Sequence, residues 1–121
     1  MIILISGDRY WDNADIIKRE LEKFLADTVI IHGAAKGADT IAGIVAKNLG
    51  MRVIPFKADW LQYGKAAGPI RNKQMIDEGK PDLLLAFHSH IETSKGTADM
   101  IQRAKKANIK TILITDGGDI I

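Results

Sequence analysis

Two stretches combine glycine, lysine and an acid at spacings that suit an anionic ligand. One is Gly33-Ala34-Ala35-Lys36-Gly37-Ala38-Asp39, and the other is Lys95-Gly96-Thr97-Ala98-Asp99. Glycine lets a phosphate approach the backbone closely, and a helix start supplies unpaired N–H groups and a positive dipole end. Each lysine adds charge. Thr97 offers a hydroxyl that caps a helix or donates to a phosphate oxygen, and Asp39 also suits a cap. The same small residues make good tight turns, so both stretches also read as plain strand–helix connections.

Other side chains widen the chemistry. Arg71-Asn72 brings a guanidinium that can clamp a phosphate or carboxylate, or simply pair with Asp77 or Glu78 at the surface. Arg9, in Ser6-Gly7-Asp8-Arg9, is a weaker case of the same kind. Trp11, Trp60 and Tyr63 fall outside any helical stripe, where aromatics stack on a base or plug the ends of a small core. His88, His90 and Glu92 would share one face of an extended chain, but no further ligand is evident and no metal is expected. Asp8, Asp12, Asp39, Asp59 and Asp99 are the available acids and bases.

Several chemistries are excluded by type. The chain has no cysteine, which removes disulfides, zinc–thiolate sites and thiol nucleophiles. It carries neither G-x-x-x-x-G-K-[ST] nor G-x-G-x-x-G, so a P-loop or a dinucleotide dehydrogenase is not expected. It also lacks the G-x-S-x-G elbow of a serine hydrolase. No cofactor is called for.

These residues need elements to position them. The 121 residues, 46% hydrophobic and 26% charged, suit one globular domain over 1–121. A net charge of +2 does not argue for nucleic acid, although a pI of 8.9 leaves it open. No apolar stretch approaches the ~20 residues of a membrane span. The N-terminus has no basic region before its apolar run, so no signal peptide and a cytoplasmic setting are expected.

Five apolar runs of strand length cover 2–5, 28–32, 51–56, 82–87 and 110–114. None alternates cleanly, as expected for strands covered on both faces. Four helical patterns lie between them, at 13–26, 38–49, 69–79 and 97–108. Their stripes are Ile17, Leu21, Phe24 and Leu25; then Ile41, Val45 and Leu49; and lastly Thr97, Met100, Ile101, Ala104 and Asn108. Gly50 and Gly79 stop two of the helices, and Pro69 suits the first turn of the third. The βαβαβαβαβ order predicts an α/β class, three-layer Rossmann-like domain. Its five-stranded parallel sheet has the order 3-2-1-4-5, with helices on both faces. The strand order would reverse between the first and fourth strands, where such sheets bind ligands. One connection, Lys57 to Gly68, is a twelve-residue loop where about 2–6 residues are usual.

Ser6-Gly7-Asp8-Arg9-Tyr10-Trp11, His32-Gly33-x-x-x-Gly37-Ala38-Asp39, Ala58-Asp59-Trp60, Gly64-Lys65-x-Ala67-Gly68-Pro69, Arg71-Asn72-x-x-Met75 and Lys95-Gly96-Thr97-Ala98-Asp99 resemble the YspA/cpYpsA-related SLOG domains. That group lies within a superfamily of LOG phosphoribohydrolases, DprA-type DNA-processing proteins and molybdenum-cofactor carriers. The resemblance implies a Rossmann-like sheet, a nucleotide or nucleotide-derived ligand, and assembly as a homodimer. LOG enzymes cleave the N-glycosidic bond of nucleoside 5′-monophosphates. Arg71 matches their motif arginine and Gly96-Thr97 their Gly-Thr, but their preceding Pro-Gly-Gly is missing and their catalytic Glu is replaced by Met100. Methionine is neither acid nor base. Asp99 is one residue early and is the catalytic candidate.

The expected function is therefore binding of a nucleotide or nucleotide-derived ligand, as a sensor or processing domain. Gly33, Lys36, Gly37, Lys95, Gly96 and Thr97 are assigned to phosphate, with Asp39 in the same loop. Arg71 and Asn72 are assigned to phosphate or ribose, Trp60 to closing over the ligand, and Ser6, Gly7 and Arg9 to the floor. Two alternatives stand beside it. One is a nucleotide hydrolase using Asp99 or Asp39; the other is DprA-like DNA binding through Arg103, Lys105 and Lys106.

Overall fold

A computed structural model describes residues 1–121. Five strands, β1 (Ile2–Gly7), β2 (Val29–His32), β3 (Arg52–Pro55), β4 (Leu83–Phe87) and β5 (Lys110–Ile114), form one sheet. All pairings are parallel and the order is β3-β2-β1-β4-β5. β1 lies at the centre and pairs Leu4 with Ile31 on one side and Leu84 on the other. The order reverses there, as expected.

The side chains of the central strands divide the core in two. Ile3 and Ile5 of β1, Ile30 of β2 and Leu83, Leu85 and Phe87 of β4 face one layer. That layer is closed by α1 (Ala14–Leu21) and α2 (Ala38–Asn48), through Ile17, Leu21, Ala38, Ala42 and Ala46. Leu4, Ile31 and Leu84 face the other, closed by Met75 of α4 (Ala67–Asp77) and by Met100 and Ala104 of α5 (Gly96–Lys106). Strand residues point alternately to the two faces, so a run that is apolar throughout feeds both layers. The outer strands are partly exposed, including Arg52 and Pro55 of β3 and Lys110 of β5.

Local chemistry sets the ends. Asn13 caps α1 by accepting the Ile16 N–H at 3.2 Å. This helix stops at Leu21 rather than running to 26, because the next turn tightens to Lys23 N–H→Glu20 O and Phe24 N–H→Leu21 O. Phe24 folds back over the core, while Leu25 is left exposed outside the expected stripe. In α2 the buried face is Ala38, Ala42, Gly43 and Ala46, and Ile41, Val45 and Leu49 pack at its margin.

Both α2 and α5 end in paired backbone bonds that satisfy their last carbonyls. Gly50 (φ 81) and Met51 donate to Lys47 O and Ala46 O. Asn108 (φ 59) and Ile109 donate to Lys105 O and Ala104 O, so Asn108 lies past the helix and not on its stripe.

The long 57–68 connection is not irregular. It holds a four-residue helix, α3 (Trp60–Tyr63), capped by Asp59 Oδ1, which accepts the Gln62 N–H at 3.1 Å. A 3₁₀ turn over Gly64–Ala66 then leads into α4, which begins two residues before Pro69.

Candidate functional site

The ends of β1, β2 and β4 open onto a cleft of about 890 Å³ at the carboxyl edge of the sheet. Its floor is Ser6, Gly7 and Asp8, at the end of the central strand. A side chain at Gly7 would meet Phe87 O at 2.5 Å and Ala38 Cβ at 2.6 Å, so only glycine lets β1, β4 and α2 approach so closely. The Asp8 carbonyl accepts the N–H groups of Trp11 and Ala38, each at 3.1 Å, which ties the floor to the start of α2.

The loop after β2 folds back on its own acid. Asp39 Oδ2 accepts the Gly33 N–H at 3.0 Å and the Ala35 N–H at 3.4 Å. Ala34 takes a left-handed φ of 57 and donates its N–H to His32 Nδ1 at 2.9 Å, leaving the His32 proton on Nε2. Burial, with help from the charges of Lys47 and Arg71, holds the His32 pKa below its ordinary value. Asp39 is 5% exposed, and its Oδ1 has no partner. Burial pushes its acid up to about 6 against the opposing pull of the Ala35 amide, the Arg71 charge and the Gly33 amide.

Arg71 crosses from α4 to this loop. Its Nη1 donates to Gly33 O at 2.6 Å and its Nε to Asn72 Oδ1 at 3.1 Å. A side chain at Gly33 would collide with the guanidinium at 2.6–2.9 Å. Burial lowers the Arg71 pKa, and Asp39 opposes the shift. Asn72 continues the chain of contacts, with Nδ2 reaching Gly96 O at 3.3 Å and Asp99 Oδ2 at 3.0 Å. One arginine and one asparagine therefore connect the α2 start to the α5 start.

At α5 the cap is Ser94, whose Oγ accepts from Thr97 N at 3.1 Å and Ala98 N at 3.4 Å. Thr97 is buried within the first turn and is not the cap. Lys95 and Gly96 are exposed beside it. At the start of the same loop, just after β4, His88 Nδ1 accepts the His90 N–H at 2.9 Å, and its Nε2 stands 4.0 Å from Asp8 Oδ2. Ile91–Thr93 form a 3₁₀ turn, so His88, His90 and Glu92 do not extend along one face. No three His, Asp or Glu side chains converge as metal ligands.

Ser6, Gly7, Arg9, Lys36, Asp39 and Trp60 line the cleft, as do Arg71, Asn72, Lys95, Gly96 and Thr97. Gly33 and Gly37 do not. Gly33 lies behind Arg71, and Gly37 (φ 79) is wedged against the backbone of Asp8 and Arg9. The Arg9 guanidinium stacks over Tyr10 at 5.5 Å. Asp99 also lies outside the lining and is held by Arg103 at 2.8 Å and by Asn72. Met100 is fully buried in the core. Trp11 is a core plug, edge-on to Phe87 at 5.5 Å and 64°, whereas Trp60 is 59% exposed over the cleft.

The ligand-binding residues assigned from the sequence omit Asp8 and His88, read there only as a free acid and a conceivable metal ligand, and they omit Ser94. Ser94 carries a readable signal, since it stands three residues before Thr97 at the spacing of a helix cap.

Comparisons with known proteins agree with this arrangement of elements. The chain is 37% identical over 123 residues to the Gene 61 protein of Mycobacterium phage D29, covering 94% of this chain and 96% of that protein. Its fold is similar to that of DNA processing protein A (DprA) from Streptococcus pneumoniae, with a TM-score of 0.70 and 20% identity. That match covers 93% of this chain and 49% of DprA, so the chain spans about half its length. The family model described as "YspA, cpYpsA-related SLOG family" matches residues 1–63. The chain belongs to the YspA, cpYpsA-related SLOG family.

Proposed function

We propose that the cleft binds a nucleotide or nucleotide-derived ligand, with its phosphate at the start of α5. The observation that carries this reading is the meeting of α2, α4 and α5 in one cleft, with Lys36, Arg71 and Lys95 on its walls. The α2 start is a poorer phosphate seat, because Asp39 and Asp8 O already take the amides of Gly33, Ala35 and Ala38. At the α5 start Ser94 Oγ takes the Thr97 and Ala98 amides, and the exposed Lys95 and Gly96 just before them are left for the anion. Trp60 stands over the opening, where its ring can cover a base. Assembly as a homodimer belongs to the same reading, and the mass in solution tests it.

Calorimetry with adenosine 5′-monophosphate tests the site. Arg71→Ala is expected to weaken binding at least tenfold, since it removes both a charge and the contact that holds Gly33 O. Unchanged affinity sinks the Arg71 assignment. Incubation of the same nucleotide with product analysis tests the hydrolase alternative, with Asp99→Asn as its control.

Nucleic-acid binding is a second reading, favoured by exposed Lys105 and Lys106 on the last turn of α5 and by the likeness to a DNA-processing protein. A gel shift with single-stranded DNA at low salt tests it, because phosphate contacts are strongest there. No shift at low salt ends it.

A further inference from the structure

We infer that Asp39 is the acceptor for a sugar hydroxyl of the ligand, which makes the cleft select ribonucleotides over nucleotides whose sugar lacks both hydroxyls. The inference rests on the nucleotide reading above and adds a residue and a substrate class to it.

Asp39 lies in the first turn of α2, lines the cleft and is 5% exposed. One of its oxygens is fully used, by the amides of Gly33 and Ala35. The other, Oδ1, has no partner. Buried polar atoms are nearly always satisfied, and an ionised carboxylate oxygen can only accept. The complementary ligand group is therefore a donor and not a phosphate oxygen. A phosphate placed here would face a second negative charge in a dry setting.

The surroundings fix where the rest of such a ligand lies. Arg71 holds Gly33 O beside Asp39, and Asn72 holds Gly96 O at the α5 start. The cationic Lys95 is at that far side. A donor at one end and an anion at the other match the hydroxyl-bearing sugar and the phosphate of a nucleotide. An acid near pKa 6 is mostly ionised at neutral pH, which strengthens the bond to a hydroxyl.

The test is calorimetry at pH 7.5 with adenosine 5′-monophosphate, its 2′,3′-dideoxy analogue and inosine 5′-monophosphate. Loss of both hydroxyls is expected to weaken binding about tenfold or more, the usual worth of a bond to a charged acceptor. Inosine monophosphate, which lacks the amino group, is expected to bind as adenosine monophosphate does. Asp39→Asn keeps an acceptor for the two amides and is expected to narrow the hydroxyl preference to about threefold or less.

Should that variant fail to fold, the wild-type preference measured from pH 5 to 8 decides. The preference should shrink as pH falls through about 6, where Asp39 takes up its proton. The phosphate titrates equally in both nucleotides, so its effect cancels in the ratio. Equal binding of the hydroxyl-bearing and dideoxy nucleotides, or a loss that follows the amino group, overturns the Asp39 role and leaves the nucleotide site standing. A hydroxyl preference that persists in folded Asp39→Asn, or stays flat with pH when that variant does not fold, overturns it equally. Failure of every nucleotide to bind overturns both.

Discussion

Ionising Asp39 works against the fold, and the sign of that effect is measurable. Burial raises its folded-state pKa from 3.8 to about 6, so the folded protein holds this proton more tightly than the unfolded chain. Stability from this group is therefore full below about pH 4 and is lost as pH rises through about 6. A rise of that size corresponds to about 3 kcal/mol. Urea unfolding of the wild type and Asp39→Asn at pH 4 and pH 7 checks it. The variant should gain on the wild type by about 2–3 kcal/mol between the two pH values, and a constant difference refutes the assignment. Asp39 was legible in the sequence as a cap-like acid after a glycine turn. Its reach back to Gly33 and Ala35 was not, because it depends on the left-handed turn at Ala34. Likewise the two tryptophans look alike as letters, and only the packing of Trp11 on Phe87 separates plug from cleft wall.

Helix starts, at the scale of elements, make two contrasting predictions. Ser94 supplies one oxygen to two amides of α5, so Ser94→Ala should cost about 1 kcal/mol with little change in the sheet. Gly37 begins α2 with φ 79, and an added Cβ would press on Asp8 O and the Arg9 backbone. Gly37→Ala combines backbone strain with that clash and should cost more, about 2–4 kcal/mol. Thermal unfolding orders the two variants, and a smaller loss for Gly37→Ala contradicts the strain. The strands and the four longer helices were legible because each carries a periodic or continuous apolar signal. The α3 helix was not, since four residues show no period and its stabilisation comes locally from Asp59. The end of α1 was misplaced for a related reason. Phe24 and Leu25 continue the helical spacing, but the tight turn sends only Phe24 to the core.

The cleft joins the two halves of the whole molecule, and a bound ligand should stabilise them together. Asp39 belongs to a helix on one face of the sheet, and Arg71, Asn72 and Gly96 to helices on the other. Each face has its own apolar cluster; at the cleft Arg71 reaches across to Gly33 O, while Asn72 ties α4 to Gly96 of α5 on its own face. A ligand that touches both faces binds only when both are formed. At a hundredfold excess over its Kd it should add about 2.7 kcal/mol to unfolding, on the order of 10 °C in Tm for a domain of this size. Hydrogen exchange locates the effect. Amides of 33–36 and of 94–98 should both slow on addition of adenosine 5′-monophosphate, because opening either loop would release the ligand. Slowing confined to 94–98 would place the ligand on the α5 half alone and detach Asp39 from it. That the two halves share one site follows from the strand order. The reversal at β1 sends the chain to opposite faces after β1 and β4, so their loops part and leave the crevice between them.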